Sequence, residues 1–151
     1  MAQQSTASLS GLLGGNLLFC WKKHRAIVPF GPAGTDGSRI GVGTDWLAVK
    51  ASLANGKQAA VIGAYWRPGE AAHNLSRQAE LGRFVSSLDI PGLIGGDFNM
   101  TPVEQDALGW VTALGLVVVT PGNVEATCSA GVGRMLDYYM ASPCLVHGGL
   151  E

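Results

Sequence analysis

Apolar positions along this chain change spacing from segment to segment, and the changes mark out its elements. Asn16 to Lys22 and Ala26 to Phe30 read as short strands, followed by Gly31 to Ser38, a loop rich in Gly, Pro, Thr and Asp. Two apolar runs, Trp46 to Leu53 and Gln58 to Tyr65, are separated by Ala54-Asn55-Gly56-Lys57, and Asn-Gly between such runs predicts a hairpin. Leu81, Phe84, Val85 and Leu88 then recur at helical spacing, while Arg77, Gln78, Glu80 and Arg83 supply a polar face. The pattern predicts an amphipathic helix from Asn74 to Leu88, ended by Asp89-Ile90-Pro91-Gly92.

Leu93 to Gly96 reads as a short buried strand that stops at Asp97-Phe98-Asn99-Met100. Thr101-Pro102-Val103-Glu104 follows, a capping box with Pro at the first helical position, so a second helix starts there. Its expected apolar face carries Val103, Ala107, Leu108, Val111 and Leu114, and Gly115 ends it. Leu116 to Thr120 reads as another strand, Pro121 to Asn123 as a turn, and Arg134 to Ser142 as a last strand with Asp137 facing opposite to Leu136 and Tyr138.

The 151 residues suffice for one hydrophobic core, so the chain reads as one domain or part of one. Hydrophobic residues are 47% and charged ones 14%, a balance that argues against intrinsic disorder and for a largely covered chain. At a net charge of -1 no global positive field attracts nucleic acid, so phosphate binding has to come from local groups. Cys20, Cys128 and Cys144 form no CxxC pair and read as three ordinary thiols, with neither a disulfide framework nor a zinc site. Lys22 and Lys23 follow the apolar part of the Met1 to Trp21 segment, the reverse of the order in a signal peptide. No apolar run approaches the roughly 20 residues of a membrane span, so a soluble chain is expected, with no membrane partner.

Chemistry concentrates at three places. At a strand's carboxyl end, strand alternation puts Asp97 and Asn99 on one side. There a carboxylate can ligate a divalent cation or deprotonate a water, and the amide can aim that water. The competing reading is an Asx turn leading into the next helix, with Thr101 as the cap. Tyr65 ends its strand before Trp66-Arg67-Pro68-Gly69, where a phenol and a guanidinium can both meet a phosphate oxygen, or be a strand aromatic and a solvated Arg. Asp137 sits in the otherwise apolar Met135 to Met140 and needs a partner if buried, with Arg134, a histidine or a metal as candidates. His24 reads as part of a solvated basic turn, His73 as near the first helix's entry and His147 as a tail residue; none has a metal-spacing partner.

Three segments, Gly63-Ala64-Tyr65-Trp66-Arg67-Pro68, Gly95-Gly96-Asp97-Phe98-Asn99 and Met135 to Ser142, resemble in order and spacing the motifs of the endonuclease/exonuclease/phosphatase superfamily. The resemblance runs from about Gly14 to Ser142. It implies an α+β fold, a four-layer α/β sandwich of two packed mixed β-sheets with outer helices, here incomplete, with residues 1–151 as a partial domain. It also implies Mg²⁺-assisted attack of water on a phosphate ester. By this resemblance Asp97 would activate the water and contribute to metal binding, and Asn99 would orient the water or the phosphate. Tyr65 would hydrogen-bond the phosphate, Arg67 would help to bind substrate and Asp137 would orient an imidazole. Thr127, ahead of Cys128, resembles a family segment with a structural or substrate-facing role.

The chain departs from the family pattern at both ends. Thirteen residues precede Gly14-Gly15 and none is Glu or Asp, so the family's metal-binding Glu has no counterpart before it. Downstream of Asp137 no Ser-Asp-His triplet occurs. Two functional expectations result. One is a Mg²⁺-dependent phosphoester hydrolase, nuclease-like and nearest the retrotransposon type, acting on DNA or another phosphoester. The other is a catalytically inactive, degenerate fragment that serves, if anything, as a binding or interaction module.

Overall fold

The computed structural model describes the backbone of residues 27–29 and, in full, residues 45–53, 56–129 and 133–147. Six strands form one mixed sheet in the order β1-β2-β3-β4-β6-β5. They are β1 (Ile27–Pro29), β2 (Trp46–Ser52), β3 (Gln58–Tyr65), β4 (Gly92–Asp97), β5 (Val117–Val119) and β6 (Asp137–Ala141). The helices are α1 (Ala71–Ser86), α2 (Pro102–Ala107), α3 (Trp110–Ala113) and α4 (Pro143–His147). β2 and β3 pair antiparallel as the expected hairpin, β3 and β4 pair parallel through the crossover helix α1, and β6 lies antiparallel between β4 and β5. The expected Asn16 to Lys22 strand, Gly14-Gly15, Cys20 and His24 lie outside the described residues.

Alternation along the strands makes two faces. Ala48, Ile62, Ile94, Met140 and Val118 are register partners across five strands, and this row packs with Leu81 and Phe84 of α1 and Val111 of α3 in the core. Trp46 stacks on Phe84 with ring centroids 5.1 Å apart. The opposite face is also apolar along most of its length. Val49, Val61, Leu93, Ala141 and Val117 form one of its rows, and Leu47, Gly63, Gly95, Tyr139 and Val119 form the next. A sheet apolar on both faces is built to lie inside a layered sandwich, which is the α+β architecture expected. Among the described residues one sheet and its helices are present, so the fold is met as an incomplete sandwich.

Three elements differ in extent from their expected bounds. α1 starts at Ala71, three residues before Asn74, because Gly69 takes a left-handed φ of +76° and turns the chain into the helix early. Asn74 is thereby inside the helix. Its carboxamide turns back onto Arg67, accepting from the backbone N–H and donating to the carbonyl at 2.8 Å each. The helix expected from Thr101 to Leu114 is broken in two at Gly109, whose φ of +68° no helix accommodates. The break rotates the second piece. Val111 is buried as expected, whereas Val103 is 79% exposed and Gln105 takes the buried position. The start is as read: Thr101 Oγ1 accepts from the Glu104 N–H and Glu104 accepts from the Thr101 N–H, completing the capping box. The last strand is shorter than expected, Arg134 pairing with Cys128 in an isolated bridge, and the expected tail at His147 instead ends the short helix α4.

Candidate active site

The carboxyl ends of the parallel pair β3 and β4 lie beside the start of β6, and register does the rest. Tyr65 is the partner of Asp97, and Asp97 is the partner of Asp137. All three side chains therefore rise on one face in one row across three adjacent strands. Directly beneath them, Phe98 lies between Trp66 and Tyr138, with ring centroids at 5.9 and 4.6 Å. This aromatic layer is buried and gives the row a stiff floor.

Asn99 closes the head of the row. Its backbone N–H donates to Asp97 Oδ1 at 3.0 Å, and its carboxamide Nδ2 donates to the Trp66 carbonyl at 2.7 Å. The first of these bonds is an Asx turn, so the local structural reading of Asp97 is realised in the same geometry that gathers the site. Its backbone is left-handed, φ 48°, a conformation Asn tolerates better than most residues. The side chain thus ties the β4 exit to the β3 exit.

Burial pushes the Asp97 carboxyl above the usual carboxylate range; the Asn99 N–H works against this and the nearby Asp137 charge works with it. Burial also raises the Tyr65 phenol, followed by the negative charge of Asp97, while Arg67 opposes them. Tyr65 therefore stays a neutral hydrogen-bond donor across the physiological range.

Two expectations are corrected here. Arg67 is 9% exposed, and its Nε and Nη2 both meet Asp45 Oδ1 at 3.0 Å while Nη1 meets Glu70 at 3.4 Å. Its guanidinium is engaged in a buried ion cluster instead of standing solvated at the surface, because two carboxylates within the fold claim it. Asp137 is exposed, not buried, since alternation in β6 turns Leu136 and Tyr138 inward and Asp137 out, and Arg134 pairs with Glu104 instead.

Local reading of the chain misses the groups that hold the site in place. Asp45, just before β2, also meets His73 Nε2 through its other carboxylate oxygen, and its carbonyl accepts the Tyr65 N–H at 2.8 Å. Thr127 Oγ1 accepts the backbone N–H groups of both Leu136 and Asp137 at 2.9 Å, anchoring the start of β6. Asp45 and His73 are 28 residues apart, so no local pattern connects them; for Thr127 the family resemblance was the one signal. Among the described residues no group of three or more His, Cys, Asp or Glu is placed to hold a metal. Cys128 and Cys144 carry free thiols, and no helix among the described residues is long and apolar enough to cross a membrane.

No protein-family model and no curated protein matches the chain. Solved structures do. A β-hairpin deletion mutant of beta toxin from Staphylococcus aureus is similar at a TM-score of 0.50 and 19% identity, over 68% of this chain and 45% of that one. A double mutant of the same toxin with bound magnesium ions is similar at 0.50 and 20%, over 68% of this chain and 43% of that one. An endonuclease/exonuclease/phosphatase protein from Beutenbergia cavernae is similar at 0.46 and 16%, over 80% of this chain and 37% of that one. The chain thus spans less than half the length of these structures. Its mixed sheet, its crossover helix and the likeness to beta toxin agree, and over part of its length the chain shares the fold of that toxin.

Proposed function

We propose that this chain belongs to a divalent-metal-dependent phosphodiesterase of the nuclease-like, retrotransposon type, with DNA as the preferred substrate class. The observation that supports this reading most is the single register row of Tyr65, Asp97 and Asp137, headed by Asn99. Its groups suit hydrolysis of a phosphate diester. Asp97, made more basic by burial and by its like-charged neighbour, accepts a proton from an attacking water. Asn99 orients that water or the phosphate through its carboxamide. Tyr65 donates its phenolic hydrogen to a non-bridging phosphate oxygen, a bond that strengthens as charge builds there. Arg67, tied to Asp45 and Glu70, holds the Tyr65 exit loop in position and offers the phosphate no free charge.

The donor set fits a hard cation. Mg²⁺ keeps most of its waters and is bound through one or two carboxylates, which Asp97 and Asp137 can supply from adjacent strands. Bound there, it would polarise a phosphoryl oxygen and offset the mutual repulsion of the two acids. The beta toxin structure described with bound magnesium ions is consistent with this reading.

Incubating the full chain with Mg²⁺ and supercoiled plasmid, and separately with bis(p-nitrophenyl) phosphate, tests the proposal. Cleavage that Asp97→Ala lowers at least about 100-fold is the expected result. Absence of turnover above buffer at every Mg²⁺ concentration would overturn it in favour of a non-catalytic binding module.

A further inference from the structure

Behind Asn99, between α1 and the loop that leaves β4, lies a cavity of about 300 Å³ that the hydrolytic row does not use. We propose that it is a subsite for one neutral nucleobase, the base flanking the phosphate held at Asp97 and Asn99. This rests on the phosphodiesterase reading and names the part of the substrate that reading leaves open.

Size comes first. Ligand pockets run from about 300 to 1,000 Å³, so this one admits a single ring system and excludes a long chain. The walls are Leu75, Met100 and Leu108, flexible apolar side chains suited to the faces of a planar ring. Leu75 and Leu108 are 54% and 47% exposed, so their apolar surfaces are open to an occupant.

The polar groups are amides. Gln78 is 3% exposed, yet among the described residues its side chain makes one hydrogen bond, from Nε2 to Met100 Sδ at 4.0 Å. Thioether sulfur is a weak acceptor, and a buried carboxamide normally finds a stronger partner. Gln78 therefore brings unmet hydrogen-bonding capacity to the cavity wall. Asn99 lines the same cavity and has an Nδ2 hydrogen beyond the one given to Trp66. Amide side chains match the paired donor and acceptor of a base edge.

Charge decides against the alternatives. Arg67 reaches this cavity but is neutralised by Asp45 and Glu70, so no uncompensated charge awaits a phosphate or a carboxylate. Asn99, shared by the cavity and the hydrolytic row, places the occupant next to the reacting phosphate.

Titration of the full chain with the four deoxynucleosides, followed by the ¹H–¹⁵N signals of the Gln78 and Asn99 carboxamides, tests the proposal without requiring turnover. The Trp110 indole, which donates to the main-chain carbonyl of Gln78 at 3.0 Å, adds a fluorescence readout. Saturable shifts at both amides are expected for at least one nucleoside. Gln78→Leu should weaken that binding at least tenfold. Leu108→Trp, at a half-exposed site where the core is undisturbed, should abolish it. Deoxyribose 5-phosphate, which lacks a base, should leave Gln78 unmoved. Equal binding by deoxyribose 5-phosphate or by toluene, binding unchanged in Leu108→Trp, or no shift with any nucleoside would overturn the subsite. Plasmid cleavage without nucleoside binding refutes the subsite and spares the hydrolase. Nucleoside binding without cleavage supports the subsite and refutes the hydrolase.

Discussion

Asp97 and Asp137 face each other as register partners on β4 and β6, two acids on one surface of a sheet with no cation among their described neighbours. Like charges opposite one another destabilise a strand pair. Keeping them together costs stability, a cost that functional sites often carry.

The pH dependence follows from the direction of the Asp97 shift. Its carboxyl is raised in the folded chain, so folding favours the protonated form, and the sign is opposite to that of an ion-paired acid. The contribution of this carboxyl to stability is most favourable below its unfolded pKa, near pH 4, and falls as pH rises from there through the raised folded value. Asp97→Asn should therefore raise the Tm at pH 7, and the gain should vanish below about pH 4. Thermal melts of both proteins across pH 3 to 8 test this; a variant less stable than the parent at pH 7 would contradict the assignment.

Cation binding should act on the same pair. Millimolar Mg²⁺ is expected to raise the Tm of the parent chain, because a ligand bound by the folded state alone stabilises it by mass action. EDTA should remove the gain, and the double variant Asp97→Asn/Asp137→Asn should show none. A Mg²⁺ shift preserved in the double variant would place the cation elsewhere.

Thr127 holds two backbone N–H groups with one hydroxyl oxygen. Thr127→Val keeps the shape and removes the acceptor, so it should cost about 1 to 2 kcal/mol in urea unfolding, with Thr127→Ser recovering most of it. Because those groups open β6 at Asp137, the valine variant should also lose more cleavage than stability alone explains.

The two glycines before Asp97 make different demands. A Cβ at Gly96 would lie 1.7 Å from the Ala64 carbonyl oxygen, part of the parallel backbone itself, whereas one at Gly95 would lie 2.7 Å from the ring of Tyr139, which is half exposed and can swing aside. Gly96→Ala should cost at least about 3 kcal/mol and Gly95→Ala about 1. Equal effects in chemical denaturation would show that the β3–β4 spacing is not the constraint.

Breaking the ion cluster should be severe. Asp45 is 7% exposed and holds both Arg67 and His73, so Asp45→Ala leaves a buried guanidinium with only Glu70 among its described acidic partners and should cost about 3 kcal/mol or more. Arg67→Met/Asp45→Leu, which removes both charges, should recover much of that loss. If the double variant proves as unstable as the single one, burial of unpaired charge is not the cause.

Much of this protein is legible in its order of residues because the signals are local. The Asn-Gly hairpin, the Thr101–Glu104 capping box and the alternation that turns Asp137 away from Leu136 each depend on residues a few positions apart, and each is found where expected. The break at Gly109 was hidden because the apolar spacing continues across it, and a left-handed glycine shows only in its φ. Arg67 looked solvated because its partners are Asp45, 22 residues away, and Glu70, whose spacing alone does not imply burial.

By itself the sequence determined the elements, the acids, the phenol and the amide, since propensity, capping and strand period act over one or two turns of chain. Only the tertiary structure decided that Tyr65, Asp97 and Asp137 share one row, that Thr127 anchors β6 and that Arg67 is withdrawn into an ion cluster. Register and ion pairing are set by contacts between distant segments, and a one-residue slip in either strand would have put those side chains on opposite faces.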